Sequence, residues 1–137
     1  MSQENVENLR TLLATWSVEA WNRRDLKAWL DMFHSGAEID WSRSRAPHKG
    51  VYRGRREHEA FWGVFWSTFE DVQLENYGFA EAGSEVVYSN TGHLRGRDGI
   101  KVIARSTFLY TFENGQITRL RMFQERADAL EAAGLSE

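Results

Sequence analysis

The stretch RDGIKVIARSTFLYTFENGQITRLRMFQ, residues 97–124, decides the fold. It holds two apolar runs, 100–112 and 117–124, each following a turn dipeptide. Asp98-Gly99 and Asn114-Gly115 are strong hairpin signals, because glycine supplies the positive φ that tight hairpins demand. Upstream, 86–95 and 72–82 read as two more strands, parted by the weaker turn signal Ala82-Gly83-Ser84. Downstream, 126–133 reads as a helix stopped by Gly134, a C′ glycine. The second half of the chain is therefore an antiparallel meander closed by a helix.

The first half has a different period. Val6, Leu9, Leu12, Leu13, Trp16 and Ala20 recur at steps of three and four, one face of a helix. Asn22-Arg23-Arg24-Asp25 breaks it, and Asp25 can cap a second helix carrying Leu26, Trp29, Leu30 and Phe33. His34-Ser35-Gly36 ends that helix. A short strand, 37–41, follows, with Ile39 and Trp41 on one face and Glu38 and Asp40 on the other. A polar loop, 42–50, leads through Val51-Tyr52-Arg53-Gly54 into a third helix, 55–69, striped with Phe61, Trp62, Phe65, Trp66 and Phe69. Helices followed by a meander make an α+β fold, with the helical stripes buried on one face of a curved sheet.

Composition narrows the function. The 137 residues are one domain's worth of chain, 1–137. The absence of Cys excludes disulfides, thiolate catalysis and Cys-ligated metals. A net charge of −3 does not suggest a nucleic-acid binder. The longest apolar run, 60–66, is far too short to span a bilayer, and no leader opens the chain. A soluble cytoplasmic protein is the expectation. Aromatics are 13% of the residues, with 6 Trp and 8 Phe, more than a core of this size needs. They either pack the core or line a cavity.

Four strings carry a resemblance. They are Trp21-Asn22-Arg23-Arg24-Asp25-Leu26, Tyr52-Arg53-Gly54-Arg55, Phe112-Glu113-Asn114-Gly115-Gln116-Ile117 and Ala129-Leu130-Glu131-Ala132-Ala133-Gly134-Leu135. With the element order, they make the chain resemble the SnoaL-like branch of the nuclear transport factor 2-like superfamily. Ketosteroid isomerase, scytalone dehydratase and limonene epoxide hydrolase share its cone-shaped fold. The resemblance implies a sheet curled around three N-terminal helices and a deep, mainly apolar pocket. Many members dimerise, so a homodimer is expected.

The resemblance also implies positions for chemistry. The isomerase base falls at or next to Trp41, with Asp40 the nearest carboxylate. The isomerase Tyr falls near Ser17, with Trp16 beside it, and the oxyanion Asp falls at Phe108. The cyclase Asp and His fall at Met122 and Phe108. The two best-understood chemistries of the superfamily thus lack their residues here.

Asp40 and His93 remain as catalytic candidates. Asp40, between Ile39 and Trp41, would have a raised pKa if buried. His93 is the one His placed within a strand, and His is the usual general base near neutral pH. The alternative is a solvated role for each. Glu125 follows the last strand, where a surface ion pair is its simplest role. Trp16, Ser17, Trp41, Trp62, Tyr88, Asn90, Phe108, Tyr110 and Met122 are the expected ligand-binding set. Asn90 is the least ordinary of them, since Asn is depleted in strands.

No metal-ligand spacing links His34, His48, His58 and His93, and no nucleotide-binding glycine motif is present, so no metal or cofactor is expected. Residues 41–56 hold Arg43, Arg45, Lys49, Arg53, Arg55 and Arg56 and no acid. They either guide an anionic group on a ligand or pair with acids elsewhere.

Two functions follow. One is a cofactor-free isomerase, cyclase or dehydratase that moves a proton on a small hydrophobic or aromatic substrate. The other is a non-catalytic module that binds such a molecule or dimerises.

Overall fold

The structure, a computed structural model, describes residues 3–44 and 49–135. The side chains of Val6 and Leu9, and residues Arg45, Pro47 and His48, lie outside what it describes. The elements run α1 (Gln3–Asn22), α2 (Leu26–Asp31), β1 (Phe33–Asp40), β2 (Val51–Arg53), α3 (Gly54–Thr68), β3 (Phe69–Ala82), β4 (Glu85–Gly96), β5 (Lys101–Glu113), β6 (Gln116–Phe123) and α4 (Arg126–Ala132). This is the expected α+β architecture. The six strands form one sheet in the order β2-β1-β6-β5-β4-β3, antiparallel except where β1 runs parallel to β6.

The turn chemistry works as the sequence suggests. Asn114 and Gly115 have φ of 51° and 76° and join β5 to β6 in a two-residue hairpin. Both central residues with positive φ match the twist of the flanking strands. The Asp98-Gly99 turn is longer: β4 ends at Gly96, β5 starts at Lys101, and the Gly96 amide donates to the Ile100 carbonyl at 2.8 Å. Gly134 ends α4 with φ of 78°, and the Leu135 amide reaches back to the Leu130 carbonyl at 2.8 Å.

The break after α1 is a structural joint. The Asp25 carboxylate caps α2 by accepting from the Ala28 amide at 3.1 Å. The Asn22 side chain donates to the Leu74 carbonyl at 2.9 Å and accepts from the Leu74 amide at 2.7 Å. That pair pins the end of α1 to β3. Several element boundaries differ from expectation: residues 34–36 lie in β1 instead of ending α2, Trp41 lies just beyond β1, and 51–53 forms the strand β2. Phe33 opens β1 instead of closing α2, because the Ile117 amide of β6 bonds the Met32 carbonyl at 3.0 Å and draws the chain into the sheet. Phe69 opens β3 instead of closing α3.

The sheet is covered on both faces, unequally. Helices α1, α2 and α3 fill the concave face and form the main core. Its centre is aromatic: the Trp21 ring lies 4.3 Å from Trp62, 5.2 Å from Trp29 and 5.9 Å from Phe61. Edge-on and tilted pairs at these spacings add to the area they bury. On the convex face, α4 seats Ala129 and Leu130 on Val87, Leu109 and Phe123. Elsewhere that face carries ion pairs, beside exposed apolar residues such as Ile103. Glu38 of β1 accepts from Arg53 of β2 at 2.8 Å and from Arg119 of β6 at 2.8 Å, and Arg121 donates to Glu85 at 3.0 Å. Among the described residues, no helix is long and apolar enough to cross a membrane.

Candidate functional site

A cavity of about 280 Å³ lies between the three N-terminal helices and the concave sheet face. Strand parity selects its sheet wall. Asn90, Gly92 and Leu94 of β4, Phe108 and Tyr110 of β5, and Leu120 and Met122 of β6 alternate with residues that face away. Trp21, Trp29, Phe61 and Phe65 form the helical wall, and Trp41 closes one side with its ring 5.4 Å from Phe108.

Of the polar residues lining it, Ser17, Ser44, Asn90, Arg105, Ser106, Tyr110 and Gln124, four form two hydrogen-bonded pairs. Deep in the cavity, the Tyr110 hydroxyl, 1% exposed, donates to Ser17 Oγ at 3.4 Å. Burial pushes the Tyr110 hydroxyl far above its ordinary range, with the Ser17 bond acting weakly the other way. Tyr110 therefore holds its proton at neutral pH and serves as a donor. Across the β4–β5 ladder, Asn90 faces Ser106, and Ser106 Oγ donates to Asn90 Oδ1 at 3.4 Å. Asn90 is 0% exposed, and its Nδ2 has no partner. The Trp29 Nε1, also buried, has none either. Each unpaired buried donor costs about 1–3 kcal/mol against the same group in water.

The expected ligand-binding residues divide. Ser17, Trp41, Asn90, Phe108, Tyr110 and Met122 line the cavity. Three others do not, and the geometry corrects their placement. Trp16 points out of α1 and is 43% exposed. Trp62 packs inside the aromatic core, 5.3 Å from Trp29. Tyr88 is buried against Phe79, edge-on at 4.9 Å, and burial pushes its hydroxyl up to about 12.

Both candidates for proton transfer also lie outside the cavity. His93 alternates with the lining residues Gly92 and Leu94, so it faces away, half exposed, with Nε2 3.5 Å from Glu75. Asp40 is buried on the convex side of β1. Burial alone would raise its pKa, but hydrogen bonds from the Ser42 hydroxyl and amide and the Arg43 guanidinium outweigh that and hold it below the usual aspartate value. Glu125 is the N-cap residue of α4 and does not line the cavity, although the preceding residue, Gln124, does. Among the described lining residues there is no Asp, Glu, His or Lys.

The basic stretch is largely neutralised. Arg43 pairs with Asp40 at 3.2 Å, Arg53 with Glu38 at 2.8 Å, and Arg55 with Asp31 at 3.5 Å. None of the three lines the cavity. The described residues include no cluster of three or more His, Cys, Asp or Glu placed to hold a metal ion.

Sequence reasoning missed most of the helical wall, including Trp21 and Phe65, and the two small polar residues Ser44 and Ser106. The signal for Ser106 was present. It stands opposite Asn90 once the β4–β5 register is known.

Solved structures share this architecture. A nuclear transport factor 2-like protein of unknown function from Burkholderia pseudomallei superposes with a TM-score of 0.78 at 21% identity, covering 90% of this chain and 95% of that one. RV0760c of Mycobacterium tuberculosis, solved in complex with estradiol-17β-hemisuccinate, gives a TM-score of 0.75 at 15% identity, over 85% and 94% of the two chains. SalBIII, an epoxide hydrolase/cyclase-like enzyme of pyran ring formation in the polyether salinomycin, gives 0.73 at 18% identity, over 91% and 95%. At such identities the likeness is one of fold. No protein of curated function matches the sequence. The model of the SnoaL-like domain matches residues 14–120, most of the chain, and with the cone and its helical filling in place, the chain belongs to that family.

Proposed function

We propose that this protein binds a small, ring-shaped hydrophobic molecule in its cone. The observation that carries the reading is the wall of the cavity. It is aromatic and aliphatic, interrupted by hydroxyl and amide groups and by Arg105, with no carboxylate or imidazole among its described residues. Such a wall desolvates an apolar ligand at little cost and orients it through a few neutral hydrogen bonds. At about 280 Å³ the cavity suits a molecule of two or three rings. The steroid ester held by the RV0760c structure supports the same type of ligand.

Catalysis by proton abstraction needs a base within hydrogen-bond reach of the substrate. Asp40 and His93 do not meet that condition in this geometry. A catalytic reading has one specific observation in its favour: the Tyr110–Ser17 hydroxyl pair, which can donate to a ligand oxygen and hold it, as an acid would. It draws support from the enzymatic description of SalBIII.

Titration calorimetry with tetralin tests the binding reading. Wild-type protein is expected to bind it saturably. Ala104→Phe, which fills the cavity from β5, is expected to weaken binding about tenfold or more by displacing the ligand's apolar contacts. No saturable heat, or equal affinity in the two proteins, overturns the reading.

A further inference from the structure

The first half of β5 has a neighbouring strand on one side only. Its pairing with β6 begins at Thr107, opposite Phe123, so residues 101–106 are a free edge there. On the other side β4 fixes their alternation. The Gly96 amide donates to the Ile100 carbonyl at 2.8 Å, and the register runs on through Leu94 opposite Val102, Gly92 opposite Ala104 and Asn90 opposite Ser106. In an antiparallel ladder every second pair exchanges both backbone bonds. Those pairs take Val102, Ala104 and Ser106. The amides and carbonyls of Lys101, Ile103 and Arg105 therefore point away from β4, and no described backbone group meets them.

Such an edge is a template for another strand, and proteins ordinarily blunt it. This one is apolar and basic: Ile103 is 72% exposed, with exposed Lys101 and Arg105 on the same side of the strand. The nearby acids of β3 are engaged, Glu70 with Arg95 and Glu75 with His93. Arg105 lies over the Tyr77 ring, 5.5 Å from its centroid, and also borders the cavity. Charge decides the occupant. A second copy can use all three outward residues in one antiparallel register alone, centred on Ile103. That register sets Lys101 opposite Arg105 twice, and like charges directly opposite are destabilising. Lipid chains leave the outward amides and carbonyls unbonded. A strand with carboxylates at those two positions satisfies both the backbone and the cations.

We propose that residues 101–106 receive an extended acidic segment of a partner protein as an added strand. Its pattern is acid-x-apolar-x-acid, the acids opposite Lys101 and Arg105 and the apolar side chain opposite Ile103. Main-chain bonds hold such a segment, and the alternate side chains select it. The proposal is independent of what the cavity holds.

Fluorescence polarisation with the dye-labelled peptide Thr-Glu-Thr-Val-Thr-Glu-Thr tests it, beside the same peptide with Lys for Glu. Wild-type protein is expected to bind the acidic peptide about tenfold more tightly, the scale of two cross-strand charge pairs turned from repulsive to attractive. Lys101→Glu is expected to lose most of that preference. Ile103→Pro removes an outward amide and no β4 bond, as edge strands tolerate, and is expected to abolish binding. Amide hydrogen exchange by NMR needs no variant, so it decides the matter even where Ile103→Pro fails to fold. Lys101, Ile103 and Arg105 are expected to exchange fast in the free protein and slowly with the acidic peptide, while Val102 and Ala104 are slow in both. No binding, equal affinity for the two peptides, or binding that leaves the three outward amides unprotected overturns the proposal. Self-association in sedimentation that Ile103→Pro abolishes gives the edge to a second copy. Capture by phosphatidylglycerol vesicles in place of the peptide gives it to a lipid surface. Either result also overturns the acidic strand.

Discussion

An aspartate between isoleucine and tryptophan in a strand invites the expectation of a raised pKa, yet Asp40 is held low. Burial is only one of its surroundings. The turn that follows, Ser42-Arg43, folds back and supplies a hydroxyl, an amide and a guanidinium to the carboxylate. Asp40 is the anchor of that turn. Asp40→Asn is expected to cost about 1–3 kcal/mol, the range for losing a charge-assisted buried interaction, and to leave tetralin affinity unchanged. Urea denaturation beside calorimetry checks both, and a large loss of affinity with no loss of stability would contradict the assignment. The sign of the acid dependence follows. A carboxyl with a depressed folded pKa contributes stability above its unfolded value of about 3.9 and loses it as pH falls through the folded one.

At the scale of elements, α4 explains why strand faces were hard to read. A strand with one buried face alternates apolar and polar residues, and that alternation reveals which side chains point inward. β4 does not alternate, because Val86 packs on the concave core and Val87 under α4, both 0% exposed. The pattern shows itself only beyond α4's reach, where Gly92 and Leu94 line the cavity and His93 faces out. A seven-residue helix thus masks the parity on which placing His93 and Asn90 depended. Its hold is a separate small core, so Leu130→Ala is expected to destabilise the protein by about 2–5 kcal/mol, the usual range for a buried leucine. Ligand affinity should hold, because none of the residues Leu130 packs against lines the cavity. Chemical denaturation and calorimetry on the same variant separate the two effects.

For the whole molecule, acid is the sharpest probe of the core. His58 is 1% exposed inside the main core, with Nε2 2.9 Å from the Ala37 carbonyl, and burial lowers its pKa despite the carbonyls of Ala37 and Tyr52. With the folded pKa depressed, the unfolded chain takes up a proton first as pH drops below about 6.5. Falling pH then favours unfolding until the folded value is passed. The midpoint temperature is expected to fall as pH drops below about 6.5, and His58→Gln, which keeps a donor for Ala37, should flatten that slope. An unchanged slope would place the acid sensitivity elsewhere. The sequence by itself determined the order of elements, the turns and the aromatic surplus, because periodicity and glycine chemistry are local. It also pointed to Asn90, because Asn is an unusual residue inside a strand. Only the tertiary structure decided which strand face meets the helices, that Asp40 is tied down by its own turn, and that Trp62 fills the core while Trp41 lines the cavity. Those outcomes depend on register, on what covers each face of the sheet, and on partners brought together from distant parts of the chain.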